Sequence, residues 1–159
     1  MPTVGSSPSG RTASSVASAG APPPARVTRV FLDANVLFSA AWRAESGLLR
    51  LWKLPLELVS SPYAIIEAER NLSRKRPEAL ARLSALLDPI EIVDSLASIE
   101  DSGLPAKDVP ILAAAVAGRC QVLLTGDVTD FGHVIGKTVQ GVRVLMPSML
   151  LAEISDRAR

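Results

Sequence analysis

Val30-Phe31-Leu32-Asp33-Ala34-Asn35-Val36-Leu37 runs apolar into a single aspartate and turns apolar again after it. Val27 to Leu32 reads as a strand, and residues 35–42 (NVLFSAAW) have the spacing of a helix, so Asp33 stands where a strand ends and a helix is about to begin. In open α/β sheets that is the crevice where ligands bind. Three more stretches place carboxylates where packed segments stop: residues 64–72 (AIIEAERNL) with Glu67, 106–115 (AKDVPILAAA) with Asp108, and 122–132 (VLLTGDVTDFG) with Asp127 and Asp130. Acids converging on one crevice repel unless a divalent cation lies between them. The pattern therefore points to a magnesium-dependent site that cleaves phosphodiesters.

Working outward, strands and helices alternate, which predicts a parallel sheet covered on both faces. Residues 46–53 (SGLLRLWK) carry a second helical pattern, and LELVS, IEIVD, QVLLT and VRVLM supply four more strands. Ser61-Pro62 starts a helix that runs to about Lys75, with the serine as cap and the proline pre-set for the first turn. Arg76-Pro77-Glu78 opens another, which Pro89 stops. Asp108 is placed to cap a helix that Gly118 ends, and Pro147-Ser148 starts the last one. The expected fold is an α/β, Rossmann-like three-layer α/β/α sandwich with a central parallel sheet of about five strands.

With 159 residues the chain has the length of one domain. Its hydrophobic content is 48% but only 4% is aromatic, so Ala, Leu and Val must form helices that pack closely on the sheet or on another subunit. The net charge of +1 provides no global attraction for a polyanion, so any nucleic-acid contact needs a local basic patch. Cys120 is the one cysteine and His133 the one histidine, which excludes an internal disulfide and a zinc site built on these residue types. A small buried hydrophobe is the expected role of Cys120. No apolar run is long enough to span a bilayer, and the protein reads as soluble and cytoplasmic, with no membrane partner. Residues 1–26 are mostly Ser, Ala, Gly and Pro with no acid and no aromatic, and are expected to form a disordered tail. That composition shares features with an organelle transit peptide, but its prolines and glycines oppose an amphipathic helix. An unprocessed tail or an over-early start fits better. The globular part is expected over 27–155, with a short tail at 156–159.

Each acid has an ordinary alternative. Asp33 could simply make an Asp-x-Asn turn, and Asp108 could simply cap its helix. Asp127 weighs against the first, because two acids at the ends of adjacent strands at a switch point make half of a metal site. On a helical wheel, Ile65, Ala68 and Leu72 face inward, whereas Glu67 shares the other side with Tyr63, Arg70, Asn71 and Arg74. A solvated helix with Glu67 paired to Arg70 and Asn71 is the alternative there. Glu69 lies nearer the apolar flank, and the choice between the two glutamates stays open. Asp130, three residues after Asp127, can reach the same ion directly or through water. Arg70, Arg74, Lys75, Arg76 and Lys107 are the basic candidates for phosphate contacts. Trp42 and Trp52 lie in apolar helical runs and are read as packing or dimer residues.

The series LDANVL, IIEAERNL, KDVPILAAAV and TGDVTDF, in this order, closely resembles the PIN-domain ribonuclease family over roughly Val27 to Ile154. The resemblance implies catalytic and metal-binding roles for Asp33, Glu67, Asp108 and Asp127, with Asp130 as an accessory metal ligand and Asn35 and Thr125 as supporting polar groups. It further implies one or two Mg²⁺ or Mn²⁺ ions, a single-stranded or loop RNA substrate, and hydrolysis that leaves a 5′-phosphate and a 3′-hydroxyl. Many bacterial members are toxins of two-component toxin–antitoxin pairs, which implies a small antitoxin partner, and a homodimer is also expected. The long N-terminal tail departs from the family pattern. Two competing readings are a non-catalytic PIN-like module that binds RNA or protein, and a receiver- or phosphatase-type α/β protein. The first is favoured by missing acids, yet all four are present; the second needs a lysine after a later strand, and none is so placed.

Overall fold

The structure is a computed structural model that describes residues 28–94 and 106–157. The expected tail over 1–26 and the last two residues lie outside the described part, as does the side chain of Lys107. Six strands form one sheet: β1 (Thr28–Leu32), β2 (Leu56–Ser60), β3 (Glu91–Ile92), β4 (Val122–Leu124), β5 (Thr138–Val139) and β6 (Val142–Leu145), in the order β3-β2-β1-β4-β6-β5. All neighbours pair in parallel except β5 with β6. Central β1 explains its own sequence, because Val30, Phe31 and Leu32 are fully buried and leave no position for a polar side chain.

The expected α/β architecture is present, with one addition at the sheet edge. Gln140 and Gly141 both have positive φ, 53° and 83°. Such a pair makes the two-residue turn whose twist suits a hairpin, and it folds Thr138–Val139 back on Val142–Leu145 as a sixth strand. The third strand is shorter than the expected IEIVD, with only Glu91–Ile92 in strand conformation.

The helices are α1 (Ala34–Ala41), α2 (Pro62–Lys75), α3 (Leu80–Leu87), α4 (Val109–Ala117), α5 (Val128–Phe131) and α6 (Pro147–Arg157). The helical pattern at 46–53 appears as a 3-10 helix, Gly47–Lys53, with Ser46 Oγ accepting from the Leu48 amide at 3.3 Å. Ser61 caps α2 as expected: its Oγ accepts from the Ala64 amide at 3.2 Å, and Pro62 fills the first turn. Ala64, Ala68 and Leu72 turn the inner face of α2 into the core, where it packs on α1 and α3. Small side chains at Ala34, Ala40, Ala41, Ala64 and Ala68 are buried within this chain, so much of the alanine content is used in its own helix packing.

Two polar ties hold the sheet register. Arg29 on β1 reaches Glu57 on β2 and Glu91 at the start of β3, at 3.3 and 3.0 Å, and its Nε donates to the Gly118 carbonyl that ends α4. Ser60 Oγ, fully buried, donates to the Leu32 carbonyl at 2.9 Å and pins the end of β2 beside the end of β1. Both tryptophans are packing residues: Trp52 Nε1 donates to Leu86 O at 2.9 Å, while Trp42 lies against Phe38 and under the Arg76 guanidinium. Cys120 is 4% exposed and burial pushes its thiol up to about 12, so it behaves as an inert hydrophobe. Among the described residues no helix is long and apolar enough to cross a membrane.

Candidate active site

The strand order reverses at β1: β2 and β3 extend the sheet on one side, and β4, β6 and β5 on the other. The ends of β1 and β4 are therefore neighbours, as their acids suggest from the sequence. The Asp33 amide donates to Leu124 O at 3.1 Å and the Thr125 amide to Leu145 O at 3.1 Å, so three strand ends are joined across the crevice. Both of these ties are backbone bonds.

Asp33 is 5% exposed and held on both oxygens. Oδ1 accepts from the Ala34 amide at 2.7 Å, which caps α1, and Oδ2 accepts from Thr125 Oγ1 at 2.8 Å and from Asn35 Nδ2 at 3.3 Å. Asn35 in turn accepts from the Gly126 amide at 2.8 Å, and Thr125 Oγ1 accepts from the Asp127 amide at 3.1 Å. Thr125 and Asn35 thus tie the two strand-end acids into one rigid unit. Burial raises the Asp33 carboxyl from its ordinary 3.8 to about 6; the hydrogen bonds from Thr125 and Ala34 oppose the rise, while the charges of Glu67 and Asp127 add to it. That last contribution places Glu67 and Asp127 within electrostatic reach of Asp33.

Asp127 precedes the one-turn helix α5 and caps it, Oδ1 accepting from the Thr129 and Asp130 amides at 3.0 Å each. Asp130 lies within that turn, which brings it back toward the crevice. Asp108 differs from its expected role as a side-chain cap. It ends a 3-10 turn, Ala106–Asp108, with φ −99° and ψ −9°, and makes no side-chain hydrogen bond to the first turn of α4. With helical backbone on both sides, its carboxylate does not fold back onto its own helix, and it meets Asp127 and Asp130 instead. One oxygen from each of Asp108, Asp127 and Asp130 lies within 4.8 Å of the other two, the one such group of metal-ligating residues among the described residues.

Asp33 and Glu67 stand beside that trio rather than in it. Glu67 is on the exposed face of α2, where it lines a groove with Tyr63, Ile66 and Arg70. Glu69 is also exposed but lines a different hollow, with Ile66, Arg70, Ser73 and Leu80, toward α3. Only Glu67 of the two contributes to the charge felt by Asp33. Arg70 and Arg74 are exposed on the same helix, Arg74 with its guanidinium on Asn71 Oδ1 at 2.6 Å. The residue that reading by motif passes over is Ser60, whose only signal is a serine at the end of an apolar strand.

Three carboxylates this close place like charges together. An all-oxygen, acidic donor set is what hard divalent cations take, so the residues present fit such an ion. Comparison with known proteins bears on the same part of the chain. The family profile described as "PIN domain" matches residues 29–129. A search of curated protein sequences gives no match. Among solved structures, VapBC2 from Rickettsia felis, bound to a DNA fragment from its promoter, is similar with a TM-score of 0.54 at 19% identity, covering 74% of this chain and 97% of that one. A toxin–antitoxin complex from Klebsiella pneumoniae is similar with a TM-score of 0.53 at 21% identity, with the same coverage of 74% and 97%. At such identities these two structures bear on the fold, which they share, and the sequence match carries the family: the chain belongs to the PIN-domain family.

Proposed function

We propose that this chain is a metal-dependent endoribonuclease that hydrolyses RNA phosphodiester bonds, and that it is the toxin of a type II toxin–antitoxin pair. The observation that carries the reading is the convergence of Asp108, Asp127 and Asp130 beside buried Asp33 at the switch point of the sheet. These four, with Glu67 across the crevice, would hold Mg²⁺ or Mn²⁺. When bound, the ion lowers the pKa of a coordinated water and offsets charge on the phosphoryl oxygens. The chain's own residues do the rest. Thr125 and Asn35 fix the Asp33 carboxylate, the Asp127 cap fixes α5 and with it Asp130, and the guanidinium groups of Arg70 and Arg74 hold phosphates of a single-stranded or loop RNA. No covalent intermediate with the chain is required, and the products carry a 5′-phosphate and a 3′-hydroxyl.

The toxin role is supported by similarity in fold to a protein solved in a toxin–antitoxin complex. A small antitoxin that covers the crevice, a homodimer and a cytoplasmic setting belong to the same reading. Lys107, next to Asp108 in sequence, is a further candidate for phosphate contact.

Binding and cutting separate on α2. Replacing both Arg70 and Arg74 by Ala is expected to weaken RNA binding about 10-fold at low salt and to reduce the slope of log K against log salt by about 1.4, the value for two single-strand phosphate contacts. Glu67→Gln is expected to spare binding and remove cleavage. A filter-binding titration and a cleavage assay on one RNA at several salt concentrations check both. A wild type that binds RNA but never cuts it, with Glu67→Gln indistinguishable from it, supports a binding module instead.

A further inference from the structure

The groove beside Glu67 has a composition that metal chemistry does not require. It is lined by Tyr63, Ile66, Glu67 and Arg70 and has a volume of about 220 Å³. The chain has six aromatic residues, all within the described part. Phe31 and Phe131 are fully buried and Phe38, Trp42 and Trp52 are half-buried, which leaves Tyr63 as the exposed one, at 42%. Next to it Ile66 is 50% exposed. On α2, Tyr63, Glu67 and Arg70 follow one another at spacings of four and three residues, so an aromatic ring, a carboxylate and a guanidinium run along one helix face.

From this arrangement we infer that Tyr63 and Ile66 form a base-stacking subsite for the nucleotide adjacent to the bond being cut. The inference rests on the nuclease reading above and deepens it. Three features favour a nucleotide as the occupant. The groove is lined by Glu67, one of the acids of the proposed metal site. A flat aromatic face accepts any base, and single-stranded nucleic acid is held by such platforms together with cations that track its backbone. Arg70 supplies that cation two turns along α2 from Tyr63, and it lines the same groove. Tyr63 is then a positioning residue: it holds the base, and the base sets where the phosphate lies over the acids.

The test is a cycle between the side chain and the base it holds. Cuts made by the wild-type chain in total bacterial RNA are mapped, and kcat and KM are measured on a single-stranded oligoribonucleotide spanning one cut. The same oligoribonucleotide is then used with an abasic residue at each position in turn, against wild type, Tyr63→Phe, Tyr63→Leu and Tyr63→Ala. Tyr63→Phe should cut like wild type. Tyr63→Leu and Tyr63→Ala should raise KM about 10-fold on the intact strand, in line with the loss of one base–aromatic stack. Removing the base next to the cut should cost wild type a similar factor and cost Tyr63→Leu nothing further, a coupling absent at every other position. If Tyr63→Leu and Tyr63→Ala lose activity equally on all strands, with no position coupled, the ring acts through the fold and the subsite is wrong. If they cut RNA like wild type but bind a protein partner less well, the groove is a protein-docking surface and the subsite is equally wrong. A wild type that cuts nothing in total RNA removes the nuclease reading and this subsite with it.

Discussion

Asp127→Asn is expected to lower the proposed magnesium-dependent RNA cleavage by at least about 100-fold while the chain stays folded, and Asp33→Asn is expected to do the same. Asparagine is the informative replacement because it keeps an oxygen where Asp127 Oδ1 now accepts from the Thr129 and Asp130 amides, and α5 therefore keeps its cap. What disappears is one negative charge in a group of three acids whose oxygens lie within 4.8 Å. At Asp33 the amide oxygen still accepts from Ala34, and the loss is a charge at the switch point together with the bond that Oδ2 accepts from Asn35. Initial rates on a fluorescent RNA, with circular dichroism on the same samples, check the pair. Unimpaired cleavage by either variant contradicts the assignment of these acids.

The second large effect is on stability. Asp33 is raised from 3.8 to about 6 by burial, so in the metal-free chain its folded-state pKa lies above its unfolded one. Between those values the folded state binds the extra proton, and its stability falls as pH rises through this window; the contribution is complete below about pH 4 and gone above about pH 6, an amount of about 3 kcal/mol. A divalent ion that binds only the folded, ionised site reverses that loss, by about 2.7 kcal/mol at 100 times its dissociation constant. Melting curves from pH 4 to pH 8, with and without Mg²⁺, should therefore diverge above pH 6, and Asp33→Asn should flatten the metal-free slope. A melting temperature that ignores both pH in this window and magnesium is the opposite result.

Much of this architecture is legible in the chain because its signals are local. An apolar strand that stops at Asp33, a serine and proline at the start of α2, and an apolar strand that stops at Thr125 each report on their own few residues, and strand–helix alternation then predicts a parallel sheet; the place of β1 beside β4 is set by the fold. Asn35 and Thr125 are singled out by the family resemblance, which matches the LDANVL and TGDVTDF stretches that hold them. Their joint role is not local: Thr125 Oγ1 donates to Asp33 Oδ2 across 92 positions of sequence, and only the folded sheet sets that distance. Asp108 shows the limit in the other direction. An aspartate before an apolar helix reads as a cap, yet the backbone at Asp108 is already helical and its carboxylate meets Asp127 and Asp130. The β5–β6 hairpin is hidden for a different reason. Its strands are two and four residues long, and its turn uses Gln140 rather than the Asn or Asp that advertises positive φ.

Glu67 and Glu69 illustrate what periodicity can and cannot decide. Both are polar positions on one helix face or its flank, and sequence leaves them as alternatives. In the fold, Glu67 lines the hollow beside Tyr63 and Glu69 the hollow against Leu80, and of the two only Glu67 adds to the charge felt by Asp33.

The central claim, that these acids together form a divalent-metal site, is tested most directly by locating the ion. Crystals of the wild-type chain soaked in Mn²⁺ and measured near the manganese absorption edge should show an anomalous peak at about 2.0–2.4 Å from carboxylate oxygens of Asp108, Asp127 and Asp130, on the side facing Asp33. Asp127→Asn crystals treated alike should lose it. Anomalous density absent from this crevice in the wild type, or present only at unrelated surface carboxylates, would contradict the account.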